Sequence, residues 1–252
     1  MRSYLVAAIV LASGTSLAKP KPAKHAAKPH HVSSRFEAPS DADDSPAVRY
    51  GRMSQTECEA ELNKRSIKFH RETAKGVAAP VRLDGALHGV EFRTDQSDAQ
   101  RAESPWEIAD CRLILAMDDF SAMLEQHGVV QVRHYSMYRA PPKSWPDDKI
   151  GTRHNGALAL DAARFTTKDG TKLSVLDDFH GAIGDKTCGD GAGPRHVADK
   201  DAAARATEIR AILCEAVSAR LFNVVLTPNY NKPHRNHFHL EVTAGVKWFL
   251  VH

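Results

Sequence analysis

The chain of 252 residues has no CxxC pair, no internal repeat and no apolar run long enough to span a membrane. Each absence removes a class. The four cysteines, Cys58, Cys111, Cys188 and Cys214, stand too far apart for a zinc knuckle, and the chain is no repeat array. Strong positive charge is missing too. The six basic residues of positions 1–35 face no acidic one, so the net charge of +3 for the whole chain leaves −3 for residues 36–252. A slightly acidic body argues against a nucleic-acid binder.

What is present begins with MRSYLVAAIVLASGTSLA: an early Arg2, an apolar run from Tyr4 to Ala12 and small residues at Ser16 and Ala18. Residues 1–18 read as a secretory signal peptide, so the protein is expected outside the cytoplasm, in the periplasm, cell envelope or medium. Residues 19–52, rich in Lys, Pro, Ala and His, read as an extended linker, and 53–252 as one domain. About 200 residues bury roughly 70% of their unfolded surface without staples. An exported chain nevertheless meets oxidising conditions, and four cysteines then predict two disulfides. Three pairings are open; neighbourhood along the chain favours Cys58–Cys111 and Cys188–Cys214.

Helix and strand signals alternate irregularly. Ser54 to Glu57 is a capping box; Ser104-Pro105-Trp106-Glu107 is a second, expected to lead a helix through Ile114 and Met123 to Gly128. A strand is expected over 129–138, a hairpin around Lys168-Asp169-Gly170, a long glycine-rich loop over 178–196, a helix over 201–221, then strands at Asn223–Thr227 and in HRNHFHLEV. The pattern predicts an α+β fold, a small antiparallel sheet with helices on one side.

That last strand concentrates the chemistry. At period two His237, His239 and Glu241 share one face and Phe238, Leu240 and Val242 the other. Two histidines on one strand bind a metal poorly without a third ligand. Upstream, His154 and Asp161 are seven positions apart, which on one strand means opposite faces and about 23 Å, and on a helix about 10 Å. The turn dipeptide Asn155-Gly156 lets the chain reverse after His154 and set Asp161 beside it. With His239 this makes two imidazoles and a carboxylate around one divalent ion, leaving a position for water as in a catalytic Zn2+ site.

Thr152-Arg153-His154, Ala159, Asp161 and His237-Phe238-His239 resemble the motifs SxHxxGxAxD and HxH of the zinc peptidase superfamily of murein endopeptidases, D-Ala-D-Ala dipeptidases and hedgehog domains. VVLTPNYNKPHRNHFHLEV is similar to the C-terminal signature of the bacterial extensin-like domain family, a resemblance reaching over about residues 55–245. The resemblance implies that His154, Asp161 and His239 are zinc ligands, His237 the general base or transition-state stabiliser, and His234 a further active-site histidine. It also implies that Arg139 binds a substrate carboxylate or the oxyanion. The implied activity is that of a zinc metallopeptidase acting on peptidoglycan peptides. Thr152, Ala157, Asn236 and Met137 depart from the pattern, where serine, glycine, aspartate and cysteine are usual. The competing expectation is a zinc-containing wall-binding or structural envelope module that does not cut. His134 and His196 are assigned no role, and the iron facial triad is disfavoured because no His-x-Asp pair starts it.

Overall fold

Apolar positions 160, 162 and 165 send one face of the segment Ala159–Thr167, the longest strand among the described residues, into the protein. The computed structural model describes residues 35–252. In chain order the elements are β1 (Arg35–Glu37), α1 (Pro46–Gly51), α2 (Gln55–Lys64), β2 (Phe69–Arg71), β3 (Pro80–Leu83), β4 (Glu91–Arg93), α3 (Asp98–Glu103), β5 (Ala109–Asp110), α4 (Cys111–Gln126) and β6 (Val129–His134). There follow β7 (Ala159–Thr167), β8 (Lys172–Ser174), α5 (Val175–Asp178), α6 (Lys200–Ser218), β9 (Val224–Leu226), β10 (Phe238–Glu241) and β11 (Phe249–Val251).

The class is α+β. The main sheet runs β1-β11-β9-β10-β7-β6-β4 with β8 on β7, and β2-β3-β5 form a small second sheet. Its centre, β9-β10-β7-β6, is antiparallel, while β4 on β6 and β11 on β9 are parallel. Helix α4 packs its apolar face on the sheet: Phe120 meets Phe165 at 6.4 Å and Phe222 at 5.7 Å, edge to face. Both disulfides, Cys58–Cys111 and Cys188–Cys214, are present and join α2 to α4 and the glycine-rich loop to α6.

Two expected element bounds need correction. The box at Ser104 caps only a 3-10 turn, Pro105–Glu107, because Glu107 turns away to accept from the Thr94 amide and hydroxyl. The long helix is instead opened by buried Asp110, which takes the Arg112 amide at 3.0 Å and its guanidinium at 2.7 Å. The strand expected over 129–138 stops at His134. From there the amides of Tyr135, Met137 and Arg139 go to the carbonyls of Asp161, Trp106 and His154 rather than to one neighbouring strand.

The proposed signal peptide and residues 19–34 of the linker lie outside the described residues. The remainder of the linker is folded: β1 pairs with β11, and α1 carries Ala47, Val48 and Tyr50 into the interior. Tyr50 is 1% exposed, and its hydroxyl sits between Asp119 and Arg65. A linker residue would tolerate truncation within about 0.5 kcal/mol. Tyr50→Ala is expected to cost about 3–5 kcal/mol, the range for emptying an aromatic site, read from the urea midpoint at unchanged slope. A midpoint equal to wild type would return residues 35–52 to the linker.

Candidate metal centre

Strand pairing places the first two donors. In the β7–β10 ladder Asp161 stands directly opposite His239, so their side chains leave the sheet on the same face. Phe238 and Leu240 fill the opposite face, each 0% exposed. His237, one residue before β10, keeps the parity of His239 and Glu241.

The third donor depends on a tight reversal. Residues Arg153–Gly156 form one 3-10 turn, and Ala157 ends it in the left-handed region at φ 52°. Its amide returns to the His154 carbonyl at 3.2 Å, and the Leu158 amide returns to that of Arg153 at 2.8 Å. The reversal expected at Asn155-Gly156 is there, but the left-handed residues are Arg153 and Ala157, each at φ 52°, the latter at the position where the resembling motif usually has glycine. Gly156 serves another need: a Cβ on it would lie 2.3 Å from the Gly151 carbonyl oxygen. This backbone contact seats the turn and aims His154 at Asp161.

The resulting geometry is a convergence on one oxygen. Asp161 Oδ1 has His154 Nε2 at 3.1 Å, His239 Nδ1 at 3.2 Å and His237 Nε2 at 3.4 Å. The ligand atoms of His154, Asp161 and His239 all lie within 4.8 Å of one another. Asp161 Oδ2 takes the Arg139 guanidinium, whose Nε also donates to Ser136 Oγ at 2.9 Å. The far nitrogen of each imidazole is tied as well: His154 Nδ1 to the Met137 carbonyl at 3.1 Å, His239 Nε2 to Glu241 at 3.2 Å, and His237 Nδ1 to Asn236 Oδ1 at 3.0 Å. Such outer partners fix the tautomer and ring angle that a metal needs. His234 lies to the side, 5.2 Å ring to ring from His237 and 5.9 Å from His239, held by Asn231.

Electrostatics divides the histidines. Burial would lower His239, but the Asp161 and Glu241 carboxylates outweigh it and raise its pKa. His237 and His234 have no carboxylate of their own beyond the shared Asp161. Burial holds His237 below the ordinary value, and burial with the neighbouring His237 and His239 pushes His234 down to about 4. For Asp161 burial acts upward, yet the hydrogen bonds from His154 and His239 win and hold it well below the carboxylate range.

Sequence reasoning thus named six residues that the structure brings to one face. It missed the partners. Glu241 shows the strand parity of His239 and was readable as its second carboxylate. Tyr135, whose hydroxyl accepts from Asn236 and whose ring lies 5.6 Å from that of His237, was hidden inside a segment read as a regular strand. His196 sits exposed in the glycine-rich loop.

Comparison with known families and proteins gives one match: a family model described as Extensin-like protein C-terminus covers residues 56–250. No curated protein and no solved structure matches the chain.

His134, opposite Ala162 on β6, is buried beside the site with neither ring nitrogen partnered among the described residues. Burial pushes its pKa down to about 4, against the pull of Glu107. The folded state therefore holds it neutral while the unfolded chain protonates near 6.5, so its stability contribution is present above about 6.5 and is lost as pH falls toward 4. Between pH 7 and pH 5 that loss is about 2 kcal/mol. Urea unfolding at the two pH values in chelator is expected to show a smaller drop in His134→Leu by that amount; an identical drop in both proteins contradicts the assignment.

Proposed function

The chain belongs to the extensin-like protein C-terminal family, and from that premise we propose that it is an exported zinc metallopeptidase, related to the zinc peptidase superfamily, that cleaves the peptide cross-links of peptidoglycan. One observation carries the reading: two imidazoles and a carboxylate within 4.8 Å, with the far nitrogens of both imidazoles anchored. The donors fit the ion. Three protein ligands without thiolate is the set of a catalytic rather than a structural zinc, and all four cysteines are committed to disulfides.

Zinc bound there supplies a Lewis acid for the scissile carbonyl and an acidified water, its pKa brought to about 7. The residues of the chain do the rest. His237 commits Nδ1–H to Asn236 and presents Nε2 to the site, where it accepts the proton as general base. Its depressed pKa keeps it unprotonated and ready at neutral pH. Arg139 holds Asp161 by one edge, and its side chain is 53% exposed, so its remaining N–H groups face a substrate carboxylate or developing oxyanion. His234, held neutral and facing His237, lines the same opening. The N-terminal residues 1–18, with their signal-peptide composition, give the export.

One zinc per chain is expected by metal analysis, lost in His239→Ala; undiminished zinc in that variant would remove His239 from the ligand set. His237→Ala is expected to keep its zinc while kcat falls roughly 10²–10⁴-fold, the usual worth of a general base. Loss of zinc in step with activity would make His237 a ligand instead. Sacculi treated with the protein are expected to lose cross-linked dimers and gain monomeric muropeptides, an effect abolished by chelator and restored by zinc. Unchanged cross-linking together with zinc-dependent binding to sacculi would favour the non-catalytic wall-binding module.

A further inference from the structure

Beside the metal cluster the open face of the sheet continues into a cleft of about 400 Å³. The two are joined by Tyr135 and Asn236, which line the cleft and are bonded to one another and, through Asn236, to His237. A β-bulge shapes the floor. Arg133 pairs with Arg164 and His134 with Ala162, which leaves Ala163 as one extra residue in β7. If Ala163 were a regular ladder residue rather than an extra one, Arg164 would share the core parity of Ala162. With the bulge, Phe165 goes into the core at 0% exposed and Arg164 emerges on the face of Asp161. Lys172 and Ser174, opposite Thr166 and Arg164 in the β8 ladder, extend the same face.

The cleft holds acids as well as bases, and most are spent on each other. Asp178 takes Arg205 and the Ser174 amide; Asp177 takes the Ser174 hydroxyl; Arg133 is fixed on the Thr94 carbonyl. Two cations remain for a ligand. Arg164 has a single 3.4 Å contact with Asp95, a residue shared with Arg133 and 70% exposed, and such a pair is worth little. Lys172 has no ion pair among the described residues. Leu176, 56% exposed, and Tyr135, 43% exposed, add apolar surface along the cleft.

We propose that this cleft is a substrate subsite for an acidic peptide, with Arg164 and Lys172 binding carboxylates two to four residues from the bond held at the metal cluster. The spacing follows from the sheet. Arg164 stands one pleat and Lys172 two pleats beyond Asp161, about 7 and 14 Å, and an extended peptide rises about 3.3 Å per residue. The inference rests on the hydrolase reading for the word substrate; the binding claim stands on the cleft alone.

The test uses two dye-labelled hexapeptides of alanine carrying two glutamates or, in the second, two glutamines. Fluorescence anisotropy is read with the zinc-loaded His237→Ala protein, in which turnover is suppressed, and with the same protein carrying R164Q and K172Q. The acidic peptide is expected to bind about tenfold more tightly than the amide, about 1.4 kcal/mol, and the ratio is expected to fall to about one in the R164Q/K172Q protein at unchanged melting temperature. Equal affinities for the two peptides, binding of neither, or a ratio that survives the double substitution would overturn the subsite. Hydrolysis by the wild-type protein is assayed separately, so preferential binding without cleavage supports the subsite and counts against the hydrolase reading.

Discussion

A carboxylate 1% exposed to solvent has lost the water that would stabilise its charge, and Asp161 is such a group. Its compensation is local: imidazoles on Oδ1 and a guanidinium on Oδ2. The partners come from three parts of the chain, so the folded arrangement of β7, β10, the turn after Thr152 and the segment after β6 is tied to one side chain. Register is what makes this demanding. Sliding β10 past β7 by a single residue would turn His239 into the core and Phe238 into the site, and the 0% exposure of Phe238 and Leu240 holds the ladder against that slip. Breaking the arrangement by removing one partner leaves a buried charge under-compensated, which costs far more than a surface pair is worth.

The second atoms of the imidazoles explain how like residues come to differ. His239 lies between two carboxylates and its proton affinity rises; His237 rests against a neutral amide and stays below the ordinary value. Asn236 is the pivot of that difference. An aspartate there would give His237 a carboxylate of its own, as Glu241 does for His239. The amide instead holds the ring by its Nδ1 without charging it, which leaves Nε2 as an acceptor. Tyr135 steadies the amide from the other side and thereby connects the site to the neighbouring cleft.

How much of this was legible follows the range of each signal. The parity of His237, His239 and Glu241 is local, and so is the turn after His154; both could be read from a few residues. The two disulfide pairings were read from chain order alone, and the structure has them. Residues 35–52 read as linker because they are short of apolar residues and carry two prolines and an acidic run. What folds them is remote, the pairing of β1 with β11 and the burial of Tyr50 against Arg65 and Asp119. The helix cap was misplaced for a similar reason. Ser104 and Glu107 have the right spacing for a box, but Glu107 is claimed by Thr94 and Arg101, thirteen and six residues away. Local propensity named an end, and tertiary partners chose another.

The bulge at Ala163 shows the same competition resolved inside one strand. Leu160 and Ala162 obey period two, yet the next core residue, Phe165, comes three positions later. An odd step between positions on the same face does not occur in a regular strand, so bringing Phe165 to the face of Leu160 and Ala162 takes an extra residue, which hairpin and strand signals alone hid. The core gains Phe165, which packs on Phe120 and lies 6.1 Å from Phe238, the neighbour of His237 and His239. The open face gains Arg164. A single inserted residue therefore sets the packing beneath β10 and the charge beside the His154, Asp161 and His239 cluster together, and neither can be altered by shifting the strand without altering the other.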